Sequence, residues 1–257
     1  MKVAILAGGR GTRLSEETET TPKPMIEIGG RPILWHIMKI YAQQGFKEFV
    51  ILLGYKGDVI KRFFAEYASI AGDLSINLKT GTVVRRALDD GADWQVHLVD
   101  TGLETNTGGR VGRAARLLGD GPFMITYGDG LADIDLGALL EHHRTYGAAA
   151  TITAVHPPAR FGEVRFNGDR VEGFAEKAQT SEGWINGGFM VCEPRILPLL
   201  TSDAAVLEID GLEALARGGD LSAYRHAGFW QCMDTLRDKL HLNTMWNQNH
   251  APWKIWP

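Results

Sequence analysis

A short apolar run at residues 3–6, stopped by the glycines of LAGGRGTRLSEETETTPKPM, limits more than any other feature how this chain can fold. A run that brief and apolar at every position reads as a strand buried on both faces, feeding a loop at its carboxyl end. In α/β folds the chemistry gathers at such ends. The stretch at residues 6–25 holds Gly8, Gly9, Gly11 and Thr12, the arginines Arg10 and Arg13, and Lys23 between Pro22 and Pro24. Glycines let backbone N–H groups come close to an anion, and an arginine adds a planar fork of donors. The flanking prolines hold Lys23 on a stiff, extended segment, which suits a phosphate clamp, although a lysine is just as often solvated at a surface. Neither common phosphate motif fits: the Gly-Lys-Ser/Thr ending of a P-loop is missing, and Leu14 stands where GxGxxG needs its last glycine.

Downstream, strand and helix signals alternate. After Pro32, Ile33, Leu34, Ile37, Met38 and Tyr41 recur at helical spacing until Gly45; residues 49–53 form a second strand; Asp58 is placed to cap a helix carrying Val59, Ile60, Phe63, Phe64 and Tyr67. Residues 75–87 and 94–100 read as a pair of extended segments around the polar stretch 89–93. Residues 123–126 are another central strand ending in YGDG, 136–146 a helix and 149–155 a β-branched strand. FGEVRFNGDRVEGFAEK predicts a hairpin turning at Asn167, Gly168 and Asp169. A strand at 188–191, helical pattern at 207–217 and a final helix from 235 to 249 complete an α/β pattern with a mixed sheet. No repeat or linker divides residues 1–257, so one domain is expected.

Composition narrows the partners. The 27 Lys and Arg are scattered against 31 Asp and Glu, for a formal charge of −4, so no nucleic-acid or membrane surface is expected and phosphate binding should be local. No apolar run approaches a membrane span and glycine arrives too early for a secretory leader, which points to a cytoplasmic protein. Cys192 and Cys232 lack disulfide or zinc spacing and read as buried thiols.

Two aspartates follow apolar stretches, Asp129 in YGDG and Asp234 in FWQCMDT. Together they would hold Mg2+, with phosphates and water completing its shell; separately each suits a turn or cap, Asp234 that of the final helix. Glu176 and Lys177 offer an acceptor for sugar hydroxyls and a cation for phosphate, or a surface ion pair. Asp133 and Asp135 match the DxD spacing of metal-dependent glycosyltransferases, a spacing that chance supplies often. His36 and His97 lie in apolar pattern and read as core or surface residues rather than ligands.

Taken in order, GGxGTRL, PKP, YGDG, FGEV, EK, INGG and MDT resemble the nucleotidyltransferases that make nucleotide-sugars from sugar 1-phosphates, over nearly the whole chain. TGxxTxTGGR, at residues 101–110, is similar to the loop of the cytidylyl-transferring branch. The resemblance implies a Rossmann-like mixed, mostly parallel sheet flanked by helices, with a small β-hairpin insertion. It implies Mg2+-dependent transfer in which α-D-glucose 1-phosphate attacks the α-phosphorus of CTP and pyrophosphate leaves. By motif, Leu6, Ala7, Gly8, Gly9, Arg10, Gly11, Thr12 and Arg13 would cradle CTP, Arg13 on the departing pyrophosphate, with Thr107, Arg110 and Gly128 also on the nucleotide. Lys23 would neutralise the nucleotide phosphates and Lys177 the sugar phosphate, Gly162, Glu176 and Asn186 would line the sugar pocket, and Asp129 and Asp234 would hold Mg2+. A homo-oligomer, trimer or hexamer, is the implied assembly. The chain departs from the family pattern at Ala178, where proline usually follows the lysine, at Asp210, Gly211 and Leu212 in place of Glu-Pro-Leu, and at Arg10, where a small or apolar residue is usual. A rival of another class is a catalytically silent nucleotide-sensing module, against which the joint presence of Lys23, Asp129, Lys177 and Asp234 argues.

Overall fold

The computed structural model describes residues 1–11, 14, 18, 20–70, 72–86, 93–157, 163–168, 170–175 and 183–256. The run behind the glycine loop is β1 (Lys2–Ala7), with Val3, Ile5 and Ala7 in one core and Ala4 and Leu6 in another. In β2 (Glu48–Leu53), Phe49, Ile51 and Leu53 join the first core, Val50 and Leu52 the second. Cover on both faces is why these strands are apolar at consecutive positions instead of alternating.

β1 pairs in parallel with β2 on one side and with β4 (Phe123–Tyr127) on the other, and β2 pairs in parallel with β3 (Gln95–Asp100). Beyond β4 the sheet continues through β5 (Ala150–Val155), β6 (Ile185–Asn186), β7 (Met190–Cys192) and β8 (Leu221–His226). β6 and β7 both run antiparallel to β5 and act as one strand broken at residues 187–189, where Gly188 and Phe189 take positive φ. β7 is antiparallel to β4, and β8 parallel to β5. The sheet is therefore mixed and mostly parallel, as expected. Its order, β3-β2-β1-β4, reverses between β1 and β4, and a crevice opens at their carboxyl ends.

Helices cover both faces. α1 (Ile33–Gln43) buries Ile33, Leu34, Ile37 and Met38 in the first core, where Leu242 of α5 (Leu236–Asn247) and the C-terminal Trp253 and Trp256 also pack. Val111 of α3 (Thr107–Arg113) joins the second core with Ile196, Leu200, Leu207 and Leu212. α2 (Gly57–Ala65) follows β2, and α4 (Leu136–Tyr146) has the bounds read from sequence. The expected hairpin pairs Glu163–Asn167 with Arg170–Ala175, while its turn residue Asp169 lies outside the described residues. Among the described residues no helix is long and apolar enough to cross a membrane.

Three local readings change. Asp58 does not cap α2: Lys56, left-handed at φ 50, is the N-cap, and Asp58 pairs with Arg62 one turn on. Residues 75–87 are not one extended segment. Asn77 Oδ1 accepts the N–H groups of Lys79 and Thr80, so Asp73–Asn77 folds back on Thr82–Arg86, while Gln95–Asp100 leaves to become β3. The helical pattern at 207–217 opens as a wide π-type turn, Leu207–Glu213, before the α-turn Ala214–Arg217.

His36 shows what this core demands. It is fully buried, its Nε2 donating to the Ile28 carbonyl at 2.8 Å and its Nδ1 accepting from Trp253 Nε1 at 3.4 Å, with Trp246 edge-on. Those roles require the neutral imidazole, and burial pushes its pKa from the ordinary 6.5 down to about 4. Because the folded value lies below the unfolded one, its contribution is complete above about pH 6.5 and is lost as pH falls towards 4. Urea titrations should show unfolding free energy about 2 kcal/mol lower at pH 5 than at pH 7 from this group, a drop that His36→Gln should reduce. An identical drop in the variant would assign the pH dependence to other groups.

Candidate active site

The crevice is a cleft of about 510 Å3. The end of β1 and the loop after it supply Leu6, Ala7, Gly8, Gly9, Arg10 and Gly11, and the end of β4 and the turn after it supply Tyr127, Gly128 and Asp129. Residues 103–107 and Arg110 form another wall, and Lys23, Pro24 and Asp234 complete the lining. Thr12, Arg13, Gly162, Glu176 and Lys177 lie outside the described residues.

Pro22, extended at φ −65 and ψ 145, delivers Lys23 to the start of a single 3-10 turn, Lys23–Met25. From there Lys23 Nζ donates to Asp129 Oδ2 at 2.6 Å and to Asp234 Oδ1 at 2.5 Å. The two aspartates, far apart in sequence, are joined by a short ribbon in which Gly130–Ala132 pairs antiparallel with Trp230–Cys232, extended by a bond from Met233 N–H to the Asp129 carbonyl at 2.9 Å. Asp234 does not cap α5. Thr235 does, in a capping box with Asp238, and Asp238 also accepts the Asp234 N–H. Burial by itself would push the Lys23 ammonium down, but Asp129 and Asp234 outweigh it and hold its pKa above the ordinary lysine value. Lys23 is therefore a permanent cation between two carboxylates.

Two convergent carboxylates opening on a cleft suit a hard divalent cation held by one or two protein oxygens. Among the described residues no three His, Cys, Asp or Glu converge as a cage, so a cation there would take its other ligands from substrate or water. The rival DxD pair does not line this cleft: Asp135 caps α4 through the Ala138 N–H, and Asp133 Oδ1 lies 2.9 Å from His226 Nε2. Both cysteines are free, each thiol pushed up to about 12, mainly by burial.

Arg110 reaches the cleft from α3, but its hydrogen bonds run to the protein itself. Its guanidinium donates to the carbonyls of Gly8, Leu53, Gly102 and Leu103 and to Thr101 Oγ1, at 2.7 to 3.3 Å. It thus ties together the carboxyl ends of β1, β2 and β3. A Cβ at Gly8 or Gly54 would collide with this guanidinium, which explains why glycine ends both strands. Sequence shows an arginine in a candidate nucleotide loop; the carbonyls that face it come from three separate strands and leave no local trace.

Arg10 is exposed and pairs with Glu104 at 2.5 Å, both on the cleft wall. Thr107 Oγ1 donates to Glu208 Oε2 at 2.8 Å, and Tyr127 OH donates to Glu208 Oε1 at 2.6 Å. Asn186 stands behind Tyr127, its Nδ2 3.4 Å from the phenol oxygen, and is not part of the cleft lining. Glu104 and Glu208 belong to no recognisable spacing, and Tyr127, although it opens YGDG, carries no signal in sequence of the carboxylate it meets.

The switch-point cleft with its two strand-end carboxylates is the arrangement of a nucleotide-handling α/β enzyme, and the family model of the nucleotidyl transferases matches residues 2–218: the chain belongs to that family. It is 48% identical to glucose-1-phosphate cytidylyltransferase of Salmonella typhimurium and 44% identical to a Bacillus subtilis protein named probable glucose-1-phosphate cytidylyltransferase, with 100% of each chain covered in both cases. Among solved structures, HddC from Yersinia pseudotuberculosis superposes with a TM-score of 0.70 at 23% identity, covering 95% of this chain and 99% of that one. An apo UDP-glucose pyrophosphorylase gives 0.69 at 15% identity, covering 96% and 98%. These two share the fold.

Arg110→Lys should cost about 2 kcal/mol, because one ammonium cannot serve the acceptors now met by a guanidinium and buried carbonyls are left unpaired. Calorimetry should record this as a fall in Tm of about 4–8 °C for a chain this long. An unchanged Tm would mean that water replaces the guanidinium without loss.

Proposed function

We propose that the protein transfers the cytidylyl group of CTP to α-D-glucose 1-phosphate, forming CDP-glucose and pyrophosphate. The observation that carries this reading is the Lys23 ammonium clamped between Asp129 and Asp234 at a switch-point cleft, in a chain 48% identical end to end to a glucose-1-phosphate cytidylyltransferase. A phosphate oxygen of the sugar phosphate forms a bond to the α-phosphorus of CTP while the bond from that phosphorus to the bridging oxygen of pyrophosphate breaks. No protein nucleophile is needed, so the residues act by positioning and by neutralising charge.

The glycine loop from Gly8 to Gly11 presents its backbone to the triphosphate, and Lys23 faces the reacting phosphates as a cation already charged at neutral pH. Thr12 and Arg13 take the triphosphate, Arg13 at the pyrophosphate; Lys177 takes the sugar phosphate; Gly162, Glu176 and Asn186 take the sugar. Those roles rest on the motifs these residues belong to. Asp129 and Asp234 hold Mg2+, which when bound offsets phosphate charge and makes the α-phosphorus easier to attack.

The reading takes residues 1–257 as one nucleotidyltransferase unit, because Asp234 lies beyond the family match yet reaches the same lysine as Asp129. It includes a trimer or hexamer, supported by Leu74, Ile76, Leu78, Val83 and Val84, all exposed on the hairpin of Asp73–Asn77 and Thr82–Arg86. Light scattering should therefore give a mass several times the 28.3 kDa of one chain, and a monomer would remove that part.

Pyrophosphate release measured for each NTP against a panel of sugar 1-phosphates tests the reaction. CTP with glucose 1-phosphate should exceed every other pair, and equal rates with UTP or dTTP would defeat the specificity. Asp129→Asn and Asp234→Asn should each lower turnover at least ~10²-fold, as removal of a charge-stabilising group does. Near-normal rates would take these aspartates out of the metal site.

A further inference from the structure

The structure assigns to Glu208 the role of a positioning residue that couples the nucleotide wall of the cleft to the strand bearing Asp129; this rests on the transfer reaction proposed above. Glu208 is half-buried and is not part of the cleft lining, whereas its partners Thr107 and Tyr127 are. Its carboxylate is shared between them, Oε2 accepting from Thr107 Oγ1 at 2.8 Å and Oε1 from Tyr127 OH at 2.6 Å. Among the described residues no cation pairs with it, so both oxygens are committed to hydroxyls.

Each hydroxyl is fixed on a second side. Thr107 Oγ1 accepts the Leu207 N–H at 2.9 Å while donating to Glu208, and Tyr127 OH faces the Asn186 amide at 3.4 Å while donating to Glu208. A hydroxyl has one proton, and in both residues the carboxylate takes it. Thr107 opens α3, three residues before Arg110 and its grip on the glycine loop. Tyr127 ends β4, two residues before Asp129. Glu208 therefore sets the distance between the loop that receives the triphosphate and the carboxylate beside Lys23. A misplacement of about 1 Å between such groups can cost ~10²-fold in rate.

The turn that carries Glu208 has other anchors. Leu207 and Leu212 are buried in the second core, and Asp210 Oδ2 accepts the Val206 N–H at 2.7 Å. Loss of the carboxylate should thus disturb the cleft more than the fold.

The test measures kcat and KM for both substrates, CTP affinity by calorimetry and Tm, on the full-length chain carrying Glu208→Ala, Glu208→Gln, Tyr127→Phe and the Glu208→Ala/Tyr127→Phe pair. Glu208→Ala should lose ~10²-fold in kcat/KM with little change in Tm. Glu208→Gln, which keeps the shape and one acceptor, should recover about tenfold of that loss. The double variant should fall within ~3-fold of Glu208→Ala, because both changes cut the same link. Kinetics within ~3-fold of wild type in Glu208→Ala, a loss that merely tracks Tm, or losses that multiply in the double variant would each overturn the assignment. Wild-type protein that makes no CDP-glucose defeats the proposed function instead, and the CTP affinities of the same variants still decide whether Glu208 positions the nucleotide wall.

Discussion

One ammonium between two carboxylates organises this molecule. Lys23 comes from the proline-braced segment after the glycine loop, Asp129 from the end of β4 and Asp234 from the approach to the C-terminal helix, and the three meet within hydrogen-bonding distance. Burying such charges is costly unless they are paired, and removing one partner strands the others. The arrangement is suited less to stability than to placement: it holds three distant segments of chain at one point beside the cleft.

Around that point the strand ends are held by hydrogen bonds to backbone as well as by packing. Arg110 binds carbonyls at the ends of three neighbouring parallel strands, and glycine at positions 8 and 54 makes room for it. Parallel strands end in step, so their last carbonyls point into the same crevice and one buried guanidinium satisfies several of them. Glu208 repeats the device one layer out, with a carboxylate and two hydroxyls in place of a guanidinium and carbonyls.

Much of this was legible in local pattern. The doubly covered strands, α4 and the hairpin at Asn167 follow from apolar runs, helical spacing and turn residues, each a property of a few consecutive positions. The sequence alone leaves Asp129 and Asp234 as caps or metal ligands; the ribbon between Gly130–Ala132 and Trp230–Cys232, which brings the two together at Lys23, links segments with no shared pattern. Asp58 is not the cap because a left-handed Lys56 opens the helix two residues earlier than a capping Asp58 would. The fold-back at Asn77 was missed because its apolar residues continue on both sides of the turn, and the edge strand Leu221–His226 went unread beside its neighbours.

The amino-acid sequence by itself determined the order of strands and helices, the glycine loop at the end of β1 and the residue types available for phosphate and metal, because these depend on side-chain chemistry and spacing over short stretches. Tertiary structure alone decided which of those residues meet. Asp234 joins Lys23 while Thr235 caps α5, Arg110 turns inward because three strand ends present carbonyls to it, and Glu208 reaches the cleft wall through hydroxyls contributed by α3 and β4. Most of these contacts join segments more than fifty residues apart in the chain, and no local pattern can encode them.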